Sequence, residues 1–127
     1  MQTFSVNTNR RTEMIAITSD VAAAVRALGR SDGMVTVFVP HTTAGVTINE
    51  NADPDVAADM AMALERLIPW DAGYAHAEGN SAAHVRASLM GASINLPLVD
   101  GRLRMGTWQG IYFCEFDGPR TRNVWVY

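Results

Sequence analysis

Apolar and polar side chains alternate with a period of two over Thr3 to Val6 and over Glu13 to Thr18. Both stretches read as strands, with the polar turn Asn7-Thr8-Asn9-Arg10 between them. Thr18 or Ser19 is placed to cap a helix whose Val21, Val25 and Leu28 recur at helical spacing, and Gly29 and Gly33 bracket its end. The β-branched run Met34 to Val39 predicts a buried strand closed by Pro40. Val46 to Glu50 alternates again and runs into the polar cluster Asn49-Glu50-Asn51. Asp53-Pro54 then supplies an N-cap and a proline at the first helical position, and Val56, Met60, Leu64 and Leu67 form the apolar stripe of a helix that Pro69 stops. Trp70 to Glu78 has no period and reads as a loop. A third helix over Ser81 to Met90 starts at Asn80 or Ser81 and ends at Gly91. Asp100-Gly101 predicts a hairpin between Ser93–Val99 and Arg102–Met105. Asp117-Gly118-Pro119-Arg120 predicts a second hairpin between Gly110–Phe116 and Arg122–Tyr127. Strands enclosing about three helices, with no repeat and no linker, predict one α+β domain over 1–127 on a mostly antiparallel sheet or sandwich.

Composition narrows the chemistry more than the architecture. The 127 residues are 48% hydrophobic and 18% charged, enough to bury a core without metal or disulfide. A net charge of −3 offers no basic field for nucleic acid. All ten basic residues are arginine, so neither a Schiff-base lysine nor a phosphate-loop lysine is available. The lone Cys114 lies inside the apolar run Ile111 to Phe116 and reads as a buried structural thiol. Neither a signal peptide nor a membrane-length apolar run is visible, which makes a cytoplasmic protein the expectation.

Candidate chemistry gathers in His76-Ala77-Glu78-Gly79-Asn80-Ser81-Ala82-Ala83-His84, which holds two of the three histidines and crosses a loop-to-helix junction. A helix start directs unpaired N–H groups and partial positive charge at the spot that His76 and His84 could share if His76 folds back from its loop, a place that can hold an anion, a metal or both. Arg86 on the same helix and Arg120 in the late turn are candidate phosphate clamps. His41 follows a strand and opens His41-Thr42-Thr43-Ala44-Gly45. Three histidines from separated segments are a candidate site for a divalent metal, zinc or magnesium, with Glu50 or Asp117 as a further ligand or support. Ordinary surface or core histidines are the competing reading, as a plain capped helix is for Asn80 and local turn capping is for Thr42 and Thr43. Gly106-Thr107-Trp108-Gln109-Gly110 offers either a flat stacking surface beside an amide or a tight bulge around a buried tryptophan.

Four stretches in this order resemble the small YjbQ-like (UPF0047) proteins, also described as secondary thiamine-phosphate synthase enzymes. They are His41 to Val56, Gly79 to His84, Gly106 to Ile111, and Glu115 to Arg120. The resemblance implies an α+β sandwich-like fold and a homotrimer with pockets near subunit contacts. It implies one cluster of polar residues, with His41, Thr43, Glu50 and His84 as catalytic groups. Asn49, Asn80, Trp108, Gln109 and Arg120 would then hold a small phosphorylated ligand; the residue reading above adds Gly79 and Arg86 to that set and makes His41, His76 and His84 the metal candidates. His76 lies in a variable loop, apart from the matching motifs. The family name implies joining an aminopyrimidine diphosphate to a thiazole phosphate. A non-catalytic trimer that binds metal or a phosphate ligand is the alternative.

Overall fold

The apolar run that begins at Ile111 is continuous because both its faces are covered. Its strand is the centre of a three-stranded sheet, and alternate side chains enter two different cores. The computed structural model describes residues 1–127 and orders the elements as follows. β1 (Gln2–Asn7) and β2 (Glu13–Ala16) precede α1 (Thr18–Leu28), β3 (Gly33–Phe38) and β4 (Ala44–Glu50). α2 (Pro54–Leu67) and α3 (Ser81–Met90) lead to β5 (Ser93–Val99), β6 (Arg102–Leu103), β7 (Gln109–Glu115) and β8 (Thr121–Val126). One sheet has the order β1-β8-β3-β5-β6 and the other β2-β7-β4, and every pairing is antiparallel. Three helices on antiparallel sheets give the expected α+β class. No helix is long and apolar enough to cross a membrane.

Ile111 and Phe113 of β7 join Val35 and Val37 of β3, Val124 and Val126 of β8 and Val21 and Val25 of α1 in the main core. Tyr112 and Cys114 face the other way and meet Ala83 and Ala87 of α3, with Phe116 just beyond the strand. Burial pushes the Cys114 thiol up to about 12, so it stays protonated as a small apolar group. The C-terminal end of α3 lies close against β4. A Cβ at Gly45 of β4 would lie 2.7 Å from the Gly91 carbonyl oxygen and 3.1 Å from the Met90 Cβ. The C-terminal residues pack on their own chain. Trp125 stacks on Phe38 at 5.6 Å between ring centroids, and Tyr127 exchanges backbone hydrogen bonds with Thr36.

Three expectations need correction. β7 and β8 form no hairpin, because β7 sits between β2 and β4 while β8 inserts between β1 and β3. The Asp117–Arg120 segment therefore crosses from one sheet to the other. Gly118 is needed there, since a Cβ would collide with the Arg10 carbonyl. β1 and β2 likewise lie in different sheets across their polar turn. Neither Thr18 nor Ser19 caps α1, whose N-cap is Ile17 with no side-chain hydrogen bond. The Thr18 Oγ1 instead accepts from the Ile111 N–H at 2.9 Å, tying the helix start to β7. Finally, α2 has its Asp53 cap, with Oδ1 accepting from the Asp55 N–H at 2.9 Å, but none of its residues is fully buried. Leu67, the end of its stripe, is exposed because the helix lies outside the small sheet.

The helix-to-sheet contact at Gly45 gives a direct test of the packing. Gly45→Ala forces a methyl group against backbone that has no rotamer to change, and is expected to destabilise by about 1–3 kcal/mol. Urea midpoints for the two proteins measure it.

Candidate functional site

Strand parity places Glu115 on the face of β7 shared by Ile111 and Phe113, and Arg122 on the face of β8 shared by Val124 and Val126. A carboxylate and a guanidinium thus meet between the two sheets, with Glu115 fully buried. The Arg122 Nε donates to Glu115 Oε1 at 2.9 Å, and its Nη2 donates to Oε2 at 2.5 Å and to the Thr43 Oγ1 at 2.8 Å. The Thr8 hydroxyl donates to Oε1 at 2.8 Å, and the N–H groups of Phe116 and Asp117 reach Oε2 at 3.1 and 3.2 Å. The lone pairs of the buried carboxylate are used, which is the condition for keeping such a charge inside.

Above this pair opens a cleft of about 360 Å³ with no apolar side chain in its lining. Thr42, Thr43 and Arg122 form part of it, and Asp117 and Arg120 another. The loop before α3 contributes His76 and Glu78, and the helix itself Asn80 and His84. Asn80 is the N-cap residue of α3 but makes no cap hydrogen bond. Its Nδ2 donates to Asp117 Oδ2 at 2.9 Å, the oxygen that also accepts from Arg120 Nη2 at 3.2 Å. Arg120 also donates from Nε to the Asp117 carbonyl at 2.9 Å while its side chain stays half exposed. A helix start without a side-chain cap, beside two guanidiniums, is a setting that favours an anionic group.

His76 and His84 do come together, edge to face, with ring centroids 5.7 Å apart. His41 lies in an adjoining hollow that shares Thr42 and His84 with the cleft. Its Nε2 accepts from the Asn123 N–H at 2.9 Å, just past the last β3–β8 pair, Phe38 with Trp125. That bond commits Nε2 as an acceptor and leaves the ring proton on Nδ1. The three histidines do not form a three-ligand group within the single chain. One ring is committed to backbone, and no three His, Cys, Asp or Glu side chains are arranged to hold an ion.

A family model described as "UPF0047 protein YjbQ-like" matches residues 2–127. The chain is 50% identical over 127 residues to the UPF0047 protein YugU of Bacillus subtilis, covering 99% of this chain and 96% of the relative. A UPF0047 protein of Methanocaldococcus jannaschii is 47% identical, with coverage of 97% and 89%. The chain belongs to the YjbQ-like UPF0047 family. The crystal structure of an uncharacterised YjbQ/UPF0047 protein from Clostridium acetobutylicum superposes with a TM-score of 0.97 at 53% identity, covering 100% of this chain and 98% of that one. A hypothetical protein from Aeropyrum pernix superposes at 0.94 with 37% identity, covering 99% and 95%.

Within this YjbQ-like chain the expected single cluster is split in two. His76, Asn80, His84, Thr43 and Arg120 line the polar cleft, with His41 next to it. Asn49, Glu50, Trp108 and Gln109 lie at the opposite end of β7, where Glu50 pairs with Gln109, about 20 Å away at the rise of a strand. There Trp108 is 64% exposed, not buried in a bulge, and the Gln109 Oε1 accepts from the Gly106 N–H at 2.8 Å within its own turn. The Asn49 Oδ1 accepts from the Glu50 N–H at 2.7 Å. Gly79, with φ of 74°, supplies the turn before α3 and does not line the cleft.

Arg86 is no phosphate clamp. It is buried, and its Nε and Nη2 donate to the Ile68 carbonyl at 3.1 and 2.7 Å, capping the C-terminus of α2. Its pKa is lowered by burial first, against the opposing pull of Glu65. Conversely, sequence reasoning passed over Glu115 and Arg122. The signal was an acid closing an otherwise apolar run and a basic residue at an inward position of the next strand.

The His41 pKa is lowered from 6.5, by burial first and by the Arg122 charge second. The folded protein holds the ring neutral more firmly than the unfolded chain does. Its contribution is therefore complete above pH 6.5 and falls away as pH drops from there through the lower folded value. His41→Gln keeps an acceptor for the Asn123 N–H but cannot titrate. Urea unfolding at a series of pH values is expected to show a shallower loss of stability below pH 6.5 in the variant than in the parent.

Proposed function

We propose that the polar cleft binds a small phosphorylated ligand and that the protein is a transferase acting on it, with thiamine-phosphate synthase chemistry as the specific candidate. The observation that carries this reading is the lining itself: two arginines, two histidines, two threonines, the carboxylates Glu78 and Asp117, and Asn80 at an uncapped helix start, with no apolar side chain. Joining an aminopyrimidine diphosphate to a thiazole phosphate expels diphosphate from a benzylic-type carbon, so charge grows on the leaving group. Arg120 and the N–H groups at the start of α3 are the donors suited to receive that charge. His84 and His76, edge to face at the cleft, are the groups suited to move a proton. A divalent metal would find those two rings with Glu78 and Asp117 in the lining, but no three of these side chains are arranged to hold an ion, so oxygens of the ligand would have to complete its shell. Metal is on this reading a companion of the phosphate, without a preformed cage.

Arg120→Ala is expected to weaken diphosphate binding about ten- to a hundredfold, the cost of one charge-assisted contact. The melting temperature should hardly change, because the side chain is half exposed in a connection between sheets. Calorimetric titration decides the binding, and incubation with both thiamine precursors decides turnover. Binding without product identifies a non-catalytic phosphate-binding protein, and no diphosphate binding by the parent removes the reading.

We also propose that the chain works as a homotrimer in which the second polar group, at the far end of β7, meets a neighbour. Trp108 is mostly exposed in the isolated chain, and no residue of α2 is fully buried. Light scattering at micromolar protein is expected to give three times the chain mass of 13.8 kDa. A monomer mass overturns the assembly.

A further inference from the structure

The largest hollow in the chain lies away from the polar cleft and shares no residue with it. It measures about 490 Å³ and runs between α1 and the hairpin of β5 and β6. Small-molecule sites span roughly 300–1,000 Å³ and combine an apolar lining with a few placed polar groups. Thr18, Ala22, Val25 and Arg26 recur at helical spacing and make one wall from a single face of α1. Leu103 and Met105 make the facing wall, and both are packed against the main core.

The tip of the hairpin fixes where the charges fall. The Gly101 N–H donates to the Ser31 carbonyl at 2.7 Å, and the Asp100 N–H donates to Asp32 Oδ1 at 3.4 Å. The tip therefore docks just past the end of α1. Arg102 comes with it to the end of the hollow where Arg26 stands in the last helical turn. The other arginines near cavities are engaged, Arg120 and Arg122 by carboxylates and Arg86 by the Ile68 carbonyl. Arg26 and Arg102 take part in no salt bridge.

Charge decides the head of the ligand and the walls decide its body. Two guanidiniums stand against the Asp100 carboxylate and against the partial charge of about −0.5 at the end of α1. The small positive surplus suits one negative charge and disfavours two. Beyond that end the hollow offers Ala22, Val25, Leu103 and Met105, which suit hydrocarbon. The wall from Arg26 back to Thr18 covers eight helical residues, about 12 Å, and sets the length of that body.

We propose that this hollow is a second ligand site that takes a monocarboxylate with a straight apolar chain. Arg26 and Arg102 hold the carboxylate, and the chain lies between α1 and β6 toward Thr18. The site stands whether or not the cleft binds phosphate.

Calorimetric titration with decanoate, butanoate and decyltrimethylammonium tests it. The parent is expected to bind one decanoate per chain. Butanoate, six methylenes shorter, should bind at least about a hundredfold more weakly, and the cation of equal chain length at least about tenfold more weakly. Replacing both arginines, Arg26→Gln with Arg102→Gln, removes the head contacts at two exposed positions and should weaken decanoate about tenfold. Ala22→Leu fills the hollow, keeps both arginines and should also weaken decanoate at least about tenfold. Melting curves confirm folding, and the double variant decides alone should Ala22→Leu not fold. No decanoate binding by the parent up to millimolar concentration overturns the proposal, as does equal affinity for the cation. Unchanged decanoate affinity in the folded variants overturns it too, because the chain then rests on another apolar surface.

Discussion

The buried pair of Glu115 and Arg122 is where the two sheets are joined by something other than apolar contact. A carboxylate with no exposure at all is tolerable only because a guanidinium, a threonine hydroxyl and two backbone N–H groups converge on it. Removing either charged partner would leave the other buried and unpaired, a change that costs about 3–5 kcal/mol. The pair also organises what lies above it. Arg122 reaches Thr43, Glu115 receives the Asp117 N–H, and Thr8 bonds both Glu115 and the Arg120 N–H. The floor of the cleft is thus built by the same bonds that hold β7 and β8 together across the sandwich.

The contrast between the two buried or half-buried arginines of the α3 region illustrates how neighbours assign a role. Arg86 sits on the helix nearest the cleft and yet serves the end of α2, because its guanidinium lies against the Ile68 carbonyl. Arg11 and Arg86 both approach the Trp70 ring, at 4.2 and 5.8 Å from its centroid, so the irregular loop after α2 is held down by cation–π contacts. Arg120 has only Asp117 for a partner and keeps half its surface in solvent, which is what a ligand-binding arginine requires.

The histidines divide in the same way. His41 ends up as a neutral backbone acceptor that extends the edge of β8, while His76 and His84 stay paired at the cleft. Membership of the YjbQ-like family accounts for the motifs as a set. It does not by itself say which of their polar residues share a pocket in one chain.

By itself the sequence determined the element types, the antiparallel α+β class, the Asp53 cap and the Asp100-Gly101 turn. Each of these depends on residues near one another along the chain, through periodicity, capping or turn chemistry. Only the tertiary structure decided that β7 and β8 part into different sheets, since local turn residues carry no information about which layer the next strand joins. It alone decided that Arg86 caps a helix, that Asn49, Glu50, Trp108 and Gln109 lie a strand's length from the cleft, and that Glu115 meets Arg122. The alternation of β7 and β8 already placed those two charges inward. That they face each other follows from how the sheets stack, a relation between distant segments that no local pattern encodes.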